Sequence, residues 1–260
     1  MRGWVLGSGT GIPLPHRNPA GYVVQGDGGW LAMLDCGSGN VWRLTALGHA
    51  IVELDLLLIS HTHPDHVGDL LTLFHAFHLP GLERRKPLNL VGPAGFEAFL
   101  SEIIFKQTRP PKGFPLQTHE LPMEAGFRWQ FADLVVESAP MLHVPGKPAV
   151  GYRLEADGQA WVYSGDADAS AELVALSRDA DLAIYDCSCL EEGNFPGHMS
   201  ALQCGRVAQQ AGVKQLVLSH LYPLIYDRPD SMRLEEARQV YAGLLALAED
   251  RLPLPLRYPG

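Results

Sequence analysis

The 260-residue sequence predicts an α/β (α+β) protein built as a four-layer αββα sandwich, with two mixed sheets face to face and helices outside. Three observations predict it. Short apolar runs, too short for buried helices, recur along the whole chain and read as strands. Segments with helical spacing alternate with them in the first third and again in the last, as expected of sheets covered by helices. Between these lies a stretch without helical spacing that reads as an antiparallel meander. No linker, repeat or shift in composition divides the chain, so residues 1–260 are expected to form a single domain.

Val5-Leu6, Gly21-Tyr22-Val23-Val24 and Trp30-Leu31-Ala32-Met33-Leu34 are predicted strands, with Gly28-Gly29 as a hairpin signal. Asn40 to Leu47 is a predicted helix stopped at Gly48. Leu54 to Ser60 reads as a buried strand, and Asp69 to Leu79 as a helix ended by Pro80-Gly81. Leu88 to Val91 is a strand, and a helix begins near Pro93 with Phe96, Phe99, Leu100 and Ile103 as its apolar positions. Leu116 to Leu121, Phe127 to Phe131 and Leu134 to Ser138 form the meander. Val150 to Leu154 and Trp161 to Ser164 make a hairpin around Asp157-Gly158. The last third reads as helix Ala171–Leu176, strand Leu182–Tyr185, helix Ala201–Gln210, strand Leu216–Ser219 and helix Leu234–Leu247.

Apolar residues make up 47% of the chain and charged residues 19%, enough for a substantial core and far from a disordered composition. A net charge of −9 argues against a broad nucleic-acid-binding surface, although bound divalent ions would reverse the charge at a site itself. The N-terminus lacks the apolar core of a signal peptide, and no apolar run approaches membrane-spanning length, so a cytoplasmic protein is expected. Cys36, Cys187, Cys189 and Cys204 are too few for a disulfide framework. They are expected to stay reduced, with Cys187 and Cys189 behaving as small buried hydrophobes.

The segment His61-Thr62-His63-Pro64-Asp65-His66 places four metal ligands in six residues, in the turn after a buried strand. Sheets of this class usually place their sites at such ends. Neutral imidazole and carboxylate suit a borderline cation such as Zn²⁺. Three imidazoles and a carboxylate exceed what one tetrahedral ion accepts with substrate present, so the cluster points to two metals. Asp35, His143, Asp166 and His220 each follow a predicted strand. A lone Asp before glycine is usually a turn residue and a lone His usually structural. Their shared position at strand ends is what lets one sheet edge assemble them into a site.

In this order, Asp35, His61-x-His63-x-Asp65-His66, His143, Asp166 and His220 resemble the metallo-β-lactamase fold superfamily over the whole chain. The resemblance implies that His61, His63 and His143 hold one metal and that Asp65, His66 and His220 hold another. Asp166 would bridge the two, and Asp35 would orient ligands from behind. It implies two divalent ions per chain, Zn²⁺ first and Mn²⁺ or Fe²⁺ as alternatives. A thiolate in place of Asp166 would have suggested a β-lactamase, and an acidic residue at His63 a di-iron branch. A narrower resemblance points to ribonuclease Z and its small phosphodiesterase relatives. Gly7 to Pro13 is similar to that branch's first turn. Pro13 to Asn18 is similar to its Pro-x-Lys-x-Arg-Asn loop, with Pro15 in place of lysine. Gly197-His198-Met199-Ser200 is similar to its His-Ser-Thr segment, while Tyr185-Asp186-Cys187-Ser188 matches its His-Glu-Ala-Thr segment poorly.

Two such metals lower the pKa of a shared water and clamp attacking and departing oxygens, which suits a phosphodiester. Asp65 and Asp166 are placed to accept a hydrogen bond from that water, and His198 is the candidate acid for the leaving oxygen. Ser200-Ala201-Leu202-Gln203 has capping-box form, so a helix N-terminus that favours an anion lies just after His198. The expected substrate is a small phosphodiester, nucleotide or short nucleic acid, with no membrane partner and a homodimer as the form of any self-association. Alternatives are tRNA 3′ processing, lactone, ester or thioester hydrolysis, and a metal-binding scaffold without activity. His16 has a conceivable substrate role in its loop, and His75 and His78 on the Asp69–Leu79 helix lie within reach of a pocket rim. His49 and His119 read as loop residues, and Phe74 and Phe77 as core. The resemblance further implies a long tRNA-gripping arm between the third and fourth motifs of short-type ribonucleases Z. Here those motifs, His143 and Asp166, are 23 residues apart and leave no room for one.

Overall fold

The computed structural model describes residues 1–224 and 228–256. Its first sheet starts as a meander, in which β1 (Arg2–Gly7), β2 (Gly21–Gln25) and β3 (Leu31–Leu34) pair antiparallel. After α1 (Asn40–Ala46), β4 (Leu56–Leu58) pairs parallel to β3. The chain then forms α2 (Pro64–Val67) and α3 (Asp69–Ala76) and returns as β5 (Leu88–Gly92), parallel to β4. A broken helix follows, with α4 (Phe96–Phe99), a π-helical turn Leu100–Ile104 and α5 (Phe105–Thr108). β6 (Leu116–Glu120) closes this half, parallel to β5.

The second sheet repeats the plan. β7 (Phe127–Phe131), β8 (Leu134–Pro140), β9 (Val150–Ala156) and β10 (Gln159–Tyr163) form an antiparallel meander. Then α6 (Ala171–Leu176), β11 (Leu182–Asp186), α7 (Ala201–Ala211), β12 (Gln215–Ser219), α8 (Ser231–Arg238) and β13 (Leu244–Leu247) alternate, with β10 to β13 parallel. β14 (Pro253–Leu254) returns to the first sheet beside β1. Among the described residues each sheet has seven strands.

The period-2 geometry of a strand divides each apolar run between two cores. Tyr22, Val24, Leu56 and Leu58 face the other sheet, where Tyr152, Leu154, Trp161, Ile184 and Val217 meet them. Val23 and Leu57, the alternate residues, pack under α1 and α3 instead. Leu216, Leu218, Ala183 and Tyr185 pack under the helices of the second half. This is why the central strands read as unbroken apolar runs: both of their faces are covered. Each fully buried Leu of this kind contributes roughly 1.5–3 kcal/mol relative to exposure.

Three predicted elements differ. The meander starts at β7, because Leu116–Glu120 pairs parallel with β5 in the first sheet and the chain changes sheet only afterwards. His119 accordingly lies on a strand, its ring against Trp129. The predicted helix Leu234–Leu247 is α8 followed by β13. Leu244-Leu245-Ala246-Leu247 suits either period, and pairing it with β12 covers an edge that a longer helix would leave open. Near Ile103 the π turn inserts a residue, so Ile104 is buried at 2% exposure while Ile103 is 53% exposed. Among the described residues, no helix is long and apolar enough to cross a membrane.

Candidate metal centre

The site forms where strands of both sheets end together. β3 leads into Asp35, β4 into Ser60-His61, β8 into the loop carrying His143, β10 into Gly165-Asp166 and β12 into His220, while β11 ends on Asp186. Asp35 and His220 both adopt left-handed backbone, with φ of 56° and 55°. Such strain in non-glycine residues concentrates at functional sites. Gly165 also turns at φ 59°, and a Cβ there would lie 2.6 Å from that of Ser60, so the turn that delivers Asp166 requires glycine. Tyrosine hydroxyls brace the two sheets beneath the site. Tyr163 donates to Asp35 Oδ2 (2.5 Å), Tyr152 donates to the Ile59 carbonyl (2.7 Å), and Tyr22 pairs with Ser219 Oγ (2.6 Å). Burial pushes all three hydroxyls well above their ordinary range, so they stay protonated.

Two groups of donor atoms face opposite oxygens of Asp166. In the first, His63 Nδ1 lies 2.9 Å from His61 Nε2 and 3.2 Å from His143 Nε2. Asp166 Oδ2 is 3.6 Å from the former and 3.9 Å from the latter. In the second, Asp166 Oδ1 is 3.2 Å from His66 Nε2 and 3.3 Å from His220 Nε2. Asp65 Oδ2 lies 3.8 and 3.4 Å from the same two nitrogens. The sequence-predicted residues His61, His63, Asp65, His66, His143, Asp166 and His220 are thus brought together, with Asp35 behind them.

The partners on the far side of each ring set its tautomer. Asp35 Oδ2 accepts from His66 Nδ1 (2.6 Å) and from Ser60 Oγ (2.7 Å), whose oxygen in turn accepts from His61 Nδ1 (3.1 Å). The Gly197 carbonyl accepts from His143 Nδ1 (3.0 Å). Gly197 itself sits at φ 88°, and a Cβ there would press on the His143 backbone at 3.1 Å. On His220, Nδ1 lies 3.3 Å from Ser188 Oγ and 3.4 Å from Asp186 Oδ1. With protons on these Nδ1 atoms, the Nε2 atoms all point inward, each able to give a lone pair to a cation that displaces any proton it carries. His66 Nε2 and Asp166 Oδ1 are buried there without a hydrogen-bond partner. Lone pairs facing each other across about 3 Å, and buried polar atoms left unpaired, are unfavourable unless a cation lies among them. The mixed nitrogen and carboxylate donors fit a divalent ion of the zinc class.

Charge in the site is strongly coupled. Burial opposes ionisation of Asp166, but His220, His66 and His61 outweigh it and hold the carboxyl well below its usual range. Asp65 is likewise held down, burial being overcome by its hydrogen bond to His220 and the charge of His66. Burial would lower His220, yet Asp166 and the hydrogen bonds to Asp186 and Asp65 push it up to about 10. His66 is raised well above its range by Asp166 and Asp35 against the same burial. His61 moves the other way, through burial and the neighbouring His66.

His198, 6% exposed, adjoins both groups: its ring stands edge-on to that of His143, 5.0 Å between centroids, and parallel to that of His220, 5.5 Å away. Its Nδ1 donates to Asp186 Oδ2 at 2.7 Å, and Ser188 Oγ donates to Asp186 Oδ1 at 2.6 Å. Burial pulls this imidazole down, but the Asp186 hydrogen bond and charge raise it above its ordinary range. The capping box before α7 is present, with Ser200 Oγ accepting from Gln203 N–H (3.1 Å) and Gln203 Oε1 from Ser200 N–H (2.8 Å). The expected anion site at that helix start is not free. Ala201 N–H donates to the Cys189 carbonyl and Leu202 N–H to Glu236, both at 3.0 Å.

Other sequence candidates lie apart from the donor groups. Arg17 is buried and donates to Ser8 Oγ, the Ala248 carbonyl and Asp230, and Asn18 N–H donates to Asp250, so this loop braces the fold. His16 is exposed on a turn, and His75 and His78 are exposed on or just after α3, with His78 Nε2 against the Arg109 carbonyl. The four cysteines are buried and free. Asp186, Ser60 and Ser188 also bond to groups of the cluster, and the sequence alone does not single them out. Asp186 had a usable signal, since it closes an apolar strand just as Asp35 and Asp166 follow theirs. The two hydroxyls had none.

Known proteins similar to this chain share its family and fold. Residues 32–221 match the Beta-lactamase superfamily domain family. The Ribonuclease Z of Mycobacterium sp. (strain KMS) is 28% identical over 267 residues, covering 93% of this chain and 92% of that one. The metallo-beta-lactamase fold protein YhfI from Bacillus subtilis superposes with a TM-score of 0.80 at 23% identity, over 97% of this chain and 98% of that one. The short form of human tRNase Z gives 0.77 at 20% identity, over 99% and 100%.

Proposed function

The chain belongs to the beta-lactamase superfamily, as a metal-dependent hydrolase of its ribonuclease Z-like branch, and from that premise we propose a dinuclear phosphodiesterase acting on nucleotides or short RNA-like diesters. His61, His63 and His143 would hold one cation and Asp65, His66 and His220 a second, with one oxygen of Asp166 toward each. Zinc is the proposed ion, with manganese or iron(II) as alternatives. Two such ions supply charge for the non-bridging phosphoryl oxygens and make water acidic enough to attack at neutral pH. Asp35 orients His66 directly and His61 through Ser60. Asp65, held ionised, would also accept a hydrogen bond from the attacking water.

The observation that carries the phosphodiester reading is the Asp186–His198 pair. Asp186 accepts the Nδ1–H hydrogen bond and raises the imidazole, so the imidazolium would have Nε2–H to protonate a departing alkoxide. A thioester, whose thiolate is a weakly basic leaving group, needs no such acid to the same degree. A panel of phosphodiester, phosphomonoester, lactone and thioester substrates tests this with the metal-loaded protein. Phosphodiesters should give the highest kcat/KM, and a lactone or thioester turned over faster would reject the reading. One observation favours a second reading, tRNA 3′ processing: relatives named Ribonuclease Z align over nearly the whole chain.

A further inference from the structure

A cavity of about 410 Å³ opens beside His198, walled by Leu190, Phe195, Tyr222 and Leu224, with Glu192 and Arg228 paired at its rim. Its size is near the low end for small-molecule pockets, room for one ring system and its sugar rather than an extended chain. The Phe195 ring lies 4.9 Å from that of His198, and the Tyr222 ring lies 5.9 Å from His198 and 5.6 Å from His220. Phe195 and Tyr222 meet nearly at right angles, 82° at 5.8 Å, so they make an aromatic corner that continues from the candidate acid. The Tyr222 side of the corner is held in place from behind. Arg233, fully buried, donates through Nη2 to the Ser188 carbonyl (2.9 Å) and the Tyr222 carbonyl (2.6 Å), and through Nε to the Cys187 carbonyl (3.2 Å). A wall fixed in this way loses little entropy when a ligand docks on it.

We infer that this corner is a base-binding subsite, which takes the nucleobase of the departing nucleoside; the inference rests on the phosphodiesterase reading above. Three properties select the occupant. It is flat, because two aromatic rings form the corner and every base has a π-face to lay on one of them. It is uncharged, because the walls are apolar and the rim cation is already paired with Glu192, so a second phosphate would be desolvated without compensation. It is attached to the leaving oxygen, because the corner adjoins His198 rather than the first donor group of His61, His63 and His143.

The test compares two diesters that differ only in whether the departing nucleoside carries its base or is abasic, with leaving groups of matched acidity. Wild-type protein should prefer the base-bearing diester by about 5- to 150-fold in kcat/KM, the range equivalent to one stacked base. Phe195→Ala should bring that ratio toward unity, and Phe195 is 37% exposed, so its loss does not hollow the core. Tyr222→Phe, which keeps the ring, should retain the preference, whereas Tyr222→Ala should lose it. Moving the base to the retained half of the diester should not restore it. Equal rates for the two diesters, or a preference that survives both alanine variants, would overturn the subsite and leave the phosphodiesterase reading intact. Failure to cleave either diester while a lactone or thioester is turned over would overturn both.

Discussion

Asp186 positions two imidazoles with different tasks, His198 through Oδ2 and His220 from the Oδ1 side. Replacing either partner therefore separates acid catalysis from metal retention. His198→Ala should keep both metals yet slow diester cleavage by roughly the 10²–10⁴-fold typical of a general acid. The loss should shrink for nitrophenolate, a leaving group that needs little protonation. Equal losses for good and poor leaving groups, measured as kcat/KM over a leaving-group series, would assign His198 to phosphate binding instead. Asp186→Asn should lower activity too, and in addition weaken metal affinity about 10–100-fold, as removal of a ligand's orienting partner does. Elemental analysis after dialysis at limiting metal distinguishes the two variants, and full retention by Asp186→Asn would argue against its hold on His220. At this scale the sequence was readable where chemistry is dense or regularly placed. The His61–His66 run shows itself, and Asp35, His143, Asp166 and His220 share a position at or beyond strand ends. Asp186 does not stand out, because its segment matches the expected pattern poorly. Ser60 and Ser188 matter through geometry alone: Ser60 meets a carboxylate 25 residues away in sequence, and Ser188 lies two residues after one, a spacing unremarkable in any sequence.

At the scale of elements, α7 is the piece that couples local sequence to the site. Its N-cap, Ser200, lies two residues after His198, and the same cap hydroxyl also contacts Glu191. Ser200→Ala should cost about 1 kcal/mol, within the usual 0.5–2 kcal/mol for a lost cap. In urea the midpoint should fall while the slope stays unchanged, and an unmoved midpoint would show that Gln203 and Glu236 alone hold the helix start. This helix and most strands were legible because caps and period-2 apolar runs are local properties. Sheet membership was not. Nothing in Leu116–Glu120 says that it pairs with β5 rather than with the strand that follows it, and Leu244–Leu247 became a strand because β12 offered it an edge. The π turn at Leu100–Ile104 shifts the apolar face by one residue, a change that helical spacing cannot announce.

For the whole molecule, the centre gathers ligands from strand ends of both sheets, so bound metal should stabilise the folded chain as a unit. With free metal at 100 times its dissociation constant the gain is about 2.7 kcal/mol, and chelation should lower the thermal midpoint accordingly. An identical midpoint with and without chelator would place the cations outside the folded core. The distribution of charge bears on the largest substrate in question, tRNA. The interval from His143 to Asp166 is filled by the β9–β10 hairpin, whose turn is only Asp157-Gly158, so no gripping arm emerges there. Residues 83–112 carry six cations against three anions, yet that excess is not all presented to solvent. Arg84 is buried, its guanidinium 5.0 Å from the Phe114 ring centre and bonded to the carbonyls of Val52 and Pro87. Lys86 pairs with Asp55 at 2.7 Å. Arg85, Lys106, Arg109 and Lys112 remain exposed, on a chain whose total charge is −9. In the first loop Pro15 replaces the expected lysine and Arg17 is committed to Ser8, Ala248 and Asp230. Affinity for a long polyanion rests on the number of phosphates neutralised, so few free cations on an acidic surface predict weak, shallowly salt-dependent tRNA binding. Pre-tRNA cleavage should accordingly be slower, in kcat/KM, than turnover of small diesters. Specific cleavage after the discriminator base at a kcat/KM above every small diester tested would instead make this a tRNA-processing enzyme that works without an arm.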